Sequence, residues 1–141
     1  MAFSDKAAKF LAQVKMGVIS SIGPDGAPQS AYVGVTTLFE TGELMVGTSV
    51  KTRKYANLKA NPKSSITMWE GATTIQTEGA VEIIERGDSR FADYEGRILK
   101  VDPSKQRFVG DSDQIWMVFK PTWIRYTDIA AKPWVIEENK Y

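Results

Sequence analysis

The sequence predicts a mainly β protein, a small antiparallel barrel of six strands with a few short helices. Three observations lead there. Short runs rich in Val, Ile, Thr, Tyr and Trp recur along the chain. Most are separated by tight-turn signals, Pro24-Asp25-Gly26, Thr41-Gly42 and Gly71-Ala72 among them, which favour hairpins. Helical periodicity is confined to three brief stretches, too little to cover the two faces of a parallel sheet.

The elements follow in order. Residues 4–13 read as a helix capped by Ser4, with Ala8, Phe10 and Leu11 apolar. Met16–Ile22 is a first strand, and residues 30–39, rich in Val, Thr and Tyr, return as the second arm of a hairpin. Residues 43–47 form a third strand. Thr52 then caps a helix near 53–60, in which Tyr55 and Leu58 share a face, and Asn61-Pro62 ends it. Residues 63–69 and Thr73–Ile84 are strands four and five. Phe91, Tyr94 and Ile98 recur at helical spacing, giving a helix over 88–100. Residues 102–113 read as a loop. Residues 114–119 make strand six, which Pro121 should interrupt or end, leaving an irregular tail from 121 to 141. In strand six Ile115, Met117 and Phe119 alternate with Trp116 and Val118, so both faces are expected to be buried. One would face the barrel interior and the other a helix or a second subunit.

The chain has 141 residues, 43% hydrophobic and 25% charged, and is expected to form one domain over 1–141. No apolar run approaches the ~20 residues needed to span a bilayer. The opening residues MAFSDKAAKFLAQVKM lack the apolar core of a signal peptide, so a cytoplasmic protein is expected. There is no Cys and no His. Thiolate nucleophiles, Cys-based zinc sites and every His-dependent triad are therefore excluded. No Asp/Glu cluster has a metal-ligand spacing, so no metal is expected. Any chemistry would rest on a cofactor.

The charges are distributed unevenly. Residues 44–69 hold five cations (Lys51, Arg53, Lys54, Lys59, Lys63) and no acid, in a chain whose net charge is only +1. Arg53 and Lys54 open a helix, where the dipole favours carboxylates. Two readings stand: a solvated basic face, or a site for an anion. Thr48, Ser49 and Thr52 crowd the same strand-to-helix junction with hydroxyls, and the free amides of the first turn would point there too.

The stretch MVGTSVKTRKYANLKANPKSSI resembles the phosphate-binding segment of the pyridoxamine 5′-phosphate oxidase-like, FMN-binding split-barrel superfamily. Gly47-Thr48, Thr52-Arg53-Lys54, Leu58 and Asn61-Pro62 match in order and spacing. So do the turn at 24–26, Gly79 in TTIQTEGAVEI, and Val118 with Pro121. The resemblance implies a six-stranded antiparallel split β-barrel that dimerises and binds FMN at the dimer interface. Arg53 and Lys54 would hold the phosphate, assisted by Thr48, Ser49 and Thr52. Tyr32, Val33, Gly34 and Val35 would lie along the isoalloxazine ring, and Thr74 or Gln76 would reach its polar edge. The protein would then be an oxidoreductase acting on a small-molecule redox substrate. The oxidases themselves carry an Arg on the second strand, where this chain has Tyr32, and an Arg-x-His element near the C-terminus. This chain has no His and is expected to lack their extra C-terminal part, so the resemblance reaches FMN but not the pyridoxal substrate.

Two further readings remain open at this stage. Relatives in the superfamily bind an F-420 type deazaflavin coenzyme, whose anionic tail suits the same helix start. A small barrel with a basic stripe and aromatics also suits single-stranded nucleic acid. A pI of about 7.9 and a short basic segment speak against that. Trp69, Trp116, Trp123 and Trp134 are expected to anchor a core or an interface, with Trp123, Tyr126 and Trp134 packing across a dimer.

Overall fold

The computed structural model describes residues 3–141. Helix α1 (Asp5–Gln13) starts where Ser4 Oγ accepts the Ala7 amide, and it buries Ala7, Phe10 and Leu11. Strand β1 (Met16–Ile22) pairs antiparallel with β2 (Pro28–Gly34) around Gly26, whose φ of 82° is open to glycine without strain.

The expected second strand divides. It stops at Gly34, and Val35 turns inward, its amide donating to the Lys15 carbonyl at 2.8 Å. A separate short strand β3 (Thr36–Leu38) then pairs with β4 (Glu43–Ser49). Helix α2 (Arg53–Ala60), β5 (Lys63–Glu70) and β6 (Thr73–Ile84) follow as the sequence predicts. Helix α3 (Phe91–Val101) begins three residues later than the expected 88, because Asp88 accepts the Arg90 amide in a turn of its own. The loop expected at 102–113 contains a 3₁₀ turn, Pro103–Phe108, capped by Asp102.

The largest correction concerns the end of the chain. Strand β7 does not stop at Pro121 but runs from Gln114 to Asp128, and β8 (Val135–Lys140) pairs with its second half. Proline is tolerated because the register shifts there: Gly79 faces Pro121 while Glu78 faces Trp123, leaving Thr122 as an extra residue. The Thr122 hydroxyl donates to the Glu78 carbonyl at 3.2 Å. Gly79 is required at this bulge, since a Cβ there would collide with the Lys120 carbonyl oxygen. The tail is therefore mostly strand, and the eight strands form one curled antiparallel sheet in the order β2-β1-β5-β6-β7-β4-β3, with β8 alongside β7.

Strand β7 divides two cores. Ile115, Met117 and Phe119 join α1, Val33, Val35, Leu44 and Ile75 inside the half-barrel. Trp116 and Val118 point the other way and pack with Phe91, Tyr94 and Ile98 of α3. Of the two covers open to that second face, the helix is the one found. Trp116 also satisfies its indole N–H on Glu95 at 3.2 Å. No helix among the described residues is long and apolar enough to cross a membrane.

Candidate functional site

The sheet is not closed into a full barrel. β2 pairs only with β1, and its residues 29–31 share a cleft with the start of α2. A cleft of about 520 Å³ opens there, lined by Ile19, Ser21, Gln29, Ser30, Ala31, Thr52, Arg53 and Lys54. Strand β4 delivers the chain to this cleft, and the β4–α2 junction is tightly built. Thr52 Oγ accepts the Tyr55 amide and donates to the Ser49 carbonyl at 2.9 Å. Its one proton is thus committed, so the 3.0 Å contact with Thr48 has the Thr48 hydroxyl as donor. Ser49 Oγ accepts the Lys51 amide. These hydroxyls hold the turn that presents Arg53 and Lys54. The first-turn amides of the two cations have no helical carbonyl to bond.

The charges separate into two kinds. Lys51 pairs with Asp113 at 3.0 Å, and Lys59 pairs with Glu85 at 3.2 Å. Tyr55 donates to the same Glu85 carboxylate at 2.6 Å, which holds its pKa below the usual value, with Lys59 adding to the effect. Arg53 and Lys54 have no ion pair among the described residues. Lys54 is half-buried, and burial alone pushes its pKa down. A half-buried ammonium with no acid, at the positive end of a helix, is a cost to the free chain. It suits a bound anion.

The remaining expected site residues fall elsewhere. Val33 and Val35 are core residues, so at these two positions only the main chain could reach a ligand. Tyr32 is 67% exposed on the outer face of the sheet. Gly34 faces outward too and lies beneath the Lys105 ammonium, which would meet any Cβ there. Thr74 and Gln76 share that face: Tyr32 lies opposite Val18, Val18 opposite Thr67, and Thr67 opposite Gln76. Three strand spacings of about 4.8 Å put Tyr32 and Gln76 roughly 14 Å apart. One chain thus brings Thr48, Ser49, Thr52, Arg53 and Lys54 together and sets Tyr32, Thr74 and Gln76 on a separate surface.

That outer surface carries several exposed large side chains among polar ones. Met16, Tyr32 and Trp69 border a depression of about 270 Å³ together with Gln13, Lys15 and Glu70, and Trp69 is 48% exposed. Trp134 and Ile136 are also exposed. Of the four tryptophans only Trp116 is a core anchor within the chain, while Trp123 is half-buried and donates to Glu138 at 2.7 Å.

Sequence reasoning missed the residue that ties the two sides of the cleft together behind its lining. Asn57, buried on α2, donates to Ser21 Oγ at 3.1 Å and to Gln29 Oε1 at 2.8 Å. A signal was available: an amide next to Leu58 on the helix face that turns inward. No group of three or more acids able to hold a metal occurs among the described residues.

Comparison with known proteins adds the following. Residues 3–128 match the family model described as pyridoxamine 5′-phosphate oxidase. No curated protein matches the chain. Among solved structures, general stress protein 26 from Bacillus anthracis is 18% identical, with a TM-score of 0.75 over 97% of each chain. A pyridoxamine 5′-phosphate oxidase-related, FMN binding protein from Nostoc punctiforme is 13% identical, with a TM-score of 0.73 over 100% of each chain. A heme binding protein from Mycobacterium smegmatis is 17% identical, with a TM-score of 0.75 over 99% of this chain and 59% of that one. This chain thus spans under two thirds of that protein's length. At these identities the likeness is one of fold.

Proposed function

The chain belongs to the pyridoxamine 5′-phosphate oxidase family, and from that premise we propose that it is an FMN-binding homodimer that serves as an oxidoreductase for a small molecule. One observation carries the reading: Lys54, half-buried and without an acid, stands beside unpaired Arg53 at the mouth of the α2–β2 cleft. The donor set fits a phosphate monoester, with two cations and free first-turn amides converging on one place. Thr48, Ser49 and Thr52 build the turn that holds them there.

The division of the site residues supports the dimer. Tyr32, Thr74 and Gln76 lie on the outer face rather than in the cleft of their own chain. A second copy packed on that face would cover Met16, Tyr32 and Trp69 and bring a second set of polar groups to a bound ring. When bound, FMN supplies hydride or electron transfer. The protein's share is to anchor the phosphate, orient the ring and keep water from it.

An F-420 type deazaflavin would use the same cations and is the second reading of the cofactor. Haem, which the Mycobacterium neighbour is described as binding, finds neither His nor Cys here as an axial ligand. The test is titration of purified protein with FMN, deazaflavin coenzyme and haemin, followed by fluorescence and absorbance. Saturable FMN quenching at micromolar concentration is expected, with no turnover of pyridoxamine phosphate by the loaded protein, given the missing His. Saturation by haemin alone would overturn the flavin reading.

A further inference from the structure

We propose that Asn57 is a positioning residue of the cleft: it locks α2 against β1 and β2 so that Arg53 and Lys54 converge on a single phosphate. The inference rests on reading the cleft as a phosphate site and concerns what holds that site in shape.

Asn57 lies one helical turn after Arg53 and is 6% exposed. It and Leu58 are the residues that α2 buries. An apolar contact such as that of Leu58 has no direction, so by itself it leaves a two-turn helix free to slide or rotate on the sheet. Asn57 supplies the direction on the cleft side of α2, as the Tyr55–Glu85 bond does on the other. Its amide nitrogen has two N–H donors, and each is used, one on Ser21 of β1 and one on Gln29 of β2. Both acceptors line the cleft. Ser21 is itself 4% exposed, so the Asn57–Ser21 bond is shielded from competing water.

A buried amide is costly unless bonded, so placements of α2 that break the two bonds are penalised. Because α2 moves as a unit, the placement that satisfies Asn57 also fixes where the Arg53 and Lys54 charges stand relative to β2. The polar residue on the buried face is thus explained: a Leu would fill the space but would not define the register.

FMN and riboflavin provide the test, since they share the ring and the hydroxylated chain and differ only in the phosphate. The ratio of their dissociation constants reads phosphate anchoring, whereas a general loss of stability or of ring contacts moves both together. Asn57→Leu keeps the branched skeleton, with somewhat larger volume, and removes both bonds. Gln29→Met removes one acceptor on an edge strand, leaves α2 untouched, and keeps the test alive if Asn57→Leu does not fold. In each variant the preference for FMN over riboflavin, the ratio of the two dissociation constants, should fall by roughly three- to tenfold. The double variant should be no worse than Asn57→Leu, because Gln29 acts through Asn57. If the unmodified protein prefers FMN and the variants keep that preference, or if the two losses simply add, the positioning role is wrong and the phosphate site stands. If the unmodified protein binds both flavins alike, or neither, the phosphate site itself is wrong and the positioning role falls with it.

Discussion

Replacing Lys54 with Met separates a phosphate site from a solvated basic helix. In the ligand-free protein the Lys54 ammonium is half-buried, and that burial lowers its pKa below the ordinary 10.5. The unfolded chain therefore binds the proton more tightly than the folded one. Stability contributed at this position rises with pH from the folded pKa up to 10.5, and at neutral pH the charge is a cost. The cation also opposes the dipole in the first turn of α2. Met keeps the stem and deletes the charge, so the ligand-free protein should gain about 0.3–1 kcal/mol. With FMN the sign reverses. One charge-assisted hydrogen bond of about 1.5–3 kcal/mol is lost, which is roughly ten- to a hundredfold in affinity. At an FMN concentration of about 100 times the dissociation constant, the ligand stabilises the unmodified protein by about 2.7 kcal/mol, and a tenfold weaker variant by about 1.4 kcal/mol. At roughly 4 °C per kcal/mol for a chain of this size, the FMN-dependent rise in melting temperature drops from about 10 °C to about 5 °C or less. Thermal melts of the unmodified protein, Lys54→Met and Lys63→Met, each with and without FMN, measure this. Lys63 is a cation of the same basic segment that lies outside the cleft and has no ion pair among the described residues, so its replacement should leave the shift unchanged. An undiminished FMN-dependent shift in Lys54→Met would refute the reasoning.

Two other outcomes are expected. Trp69→Glu replaces an exposed indole of the outer face, beside Met16 and Tyr32, with a carboxylate. It should convert the proposed dimer to monomer in light scattering and weaken FMN binding, and a dimer that persists in this variant would show that the interface lies elsewhere. The Asp88 carboxyl is held down to about 2, first by the Arg90 side chain and then by the Arg90 amide. Its folded pKa is below the ordinary 3.8, so the stability it contributes is present above that value and lost as pH falls through about 2. In Arg90→Ala that contribution should largely vanish, so denaturant midpoints of the two proteins should differ at about pH 5 and converge toward pH 2, whereas a constant difference would mean that Asp88 does not titrate with Arg90.

The sequence by itself pointed to the family and the mainly β class, and it singled out the basic segment that opens α2. Those depend on local rules: which turns Pro24-Asp25-Gly26 and Thr41-Gly42 can make, where Thr52 caps a helix, and which charges a helix start should not carry. The alternation of Ile115 to Phe119 likewise showed that β7 would be buried on both faces. Tertiary structure decided what covered them, since α3 and a second subunit would leave the same pattern in the strand. It also overruled Pro121. A proline stops a regular strand, but a bulge opposite Gly79 absorbs the missing N–H, and that pairing joins residues far apart in the chain. Val35 broke the second strand for a similar reason: the bond to Lys15 and a place in the core outweighed local β propensity. At the site, the sequence placed Arg53 and Lys54 at a helix start, while the fold decided which cations already had partners. Lys51 and Lys59 found Asp113 and Glu85 across the fold, and Arg53 and Lys54 were left without one. Charge neutralisation acts through space, so no reading along the chain separates a neutralised lysine from one still open to a ligand. The same holds for Asn57, whose meaning rests on Ser21 and Gln29, both distant in sequence and within hydrogen-bond reach only once the sheet has curled.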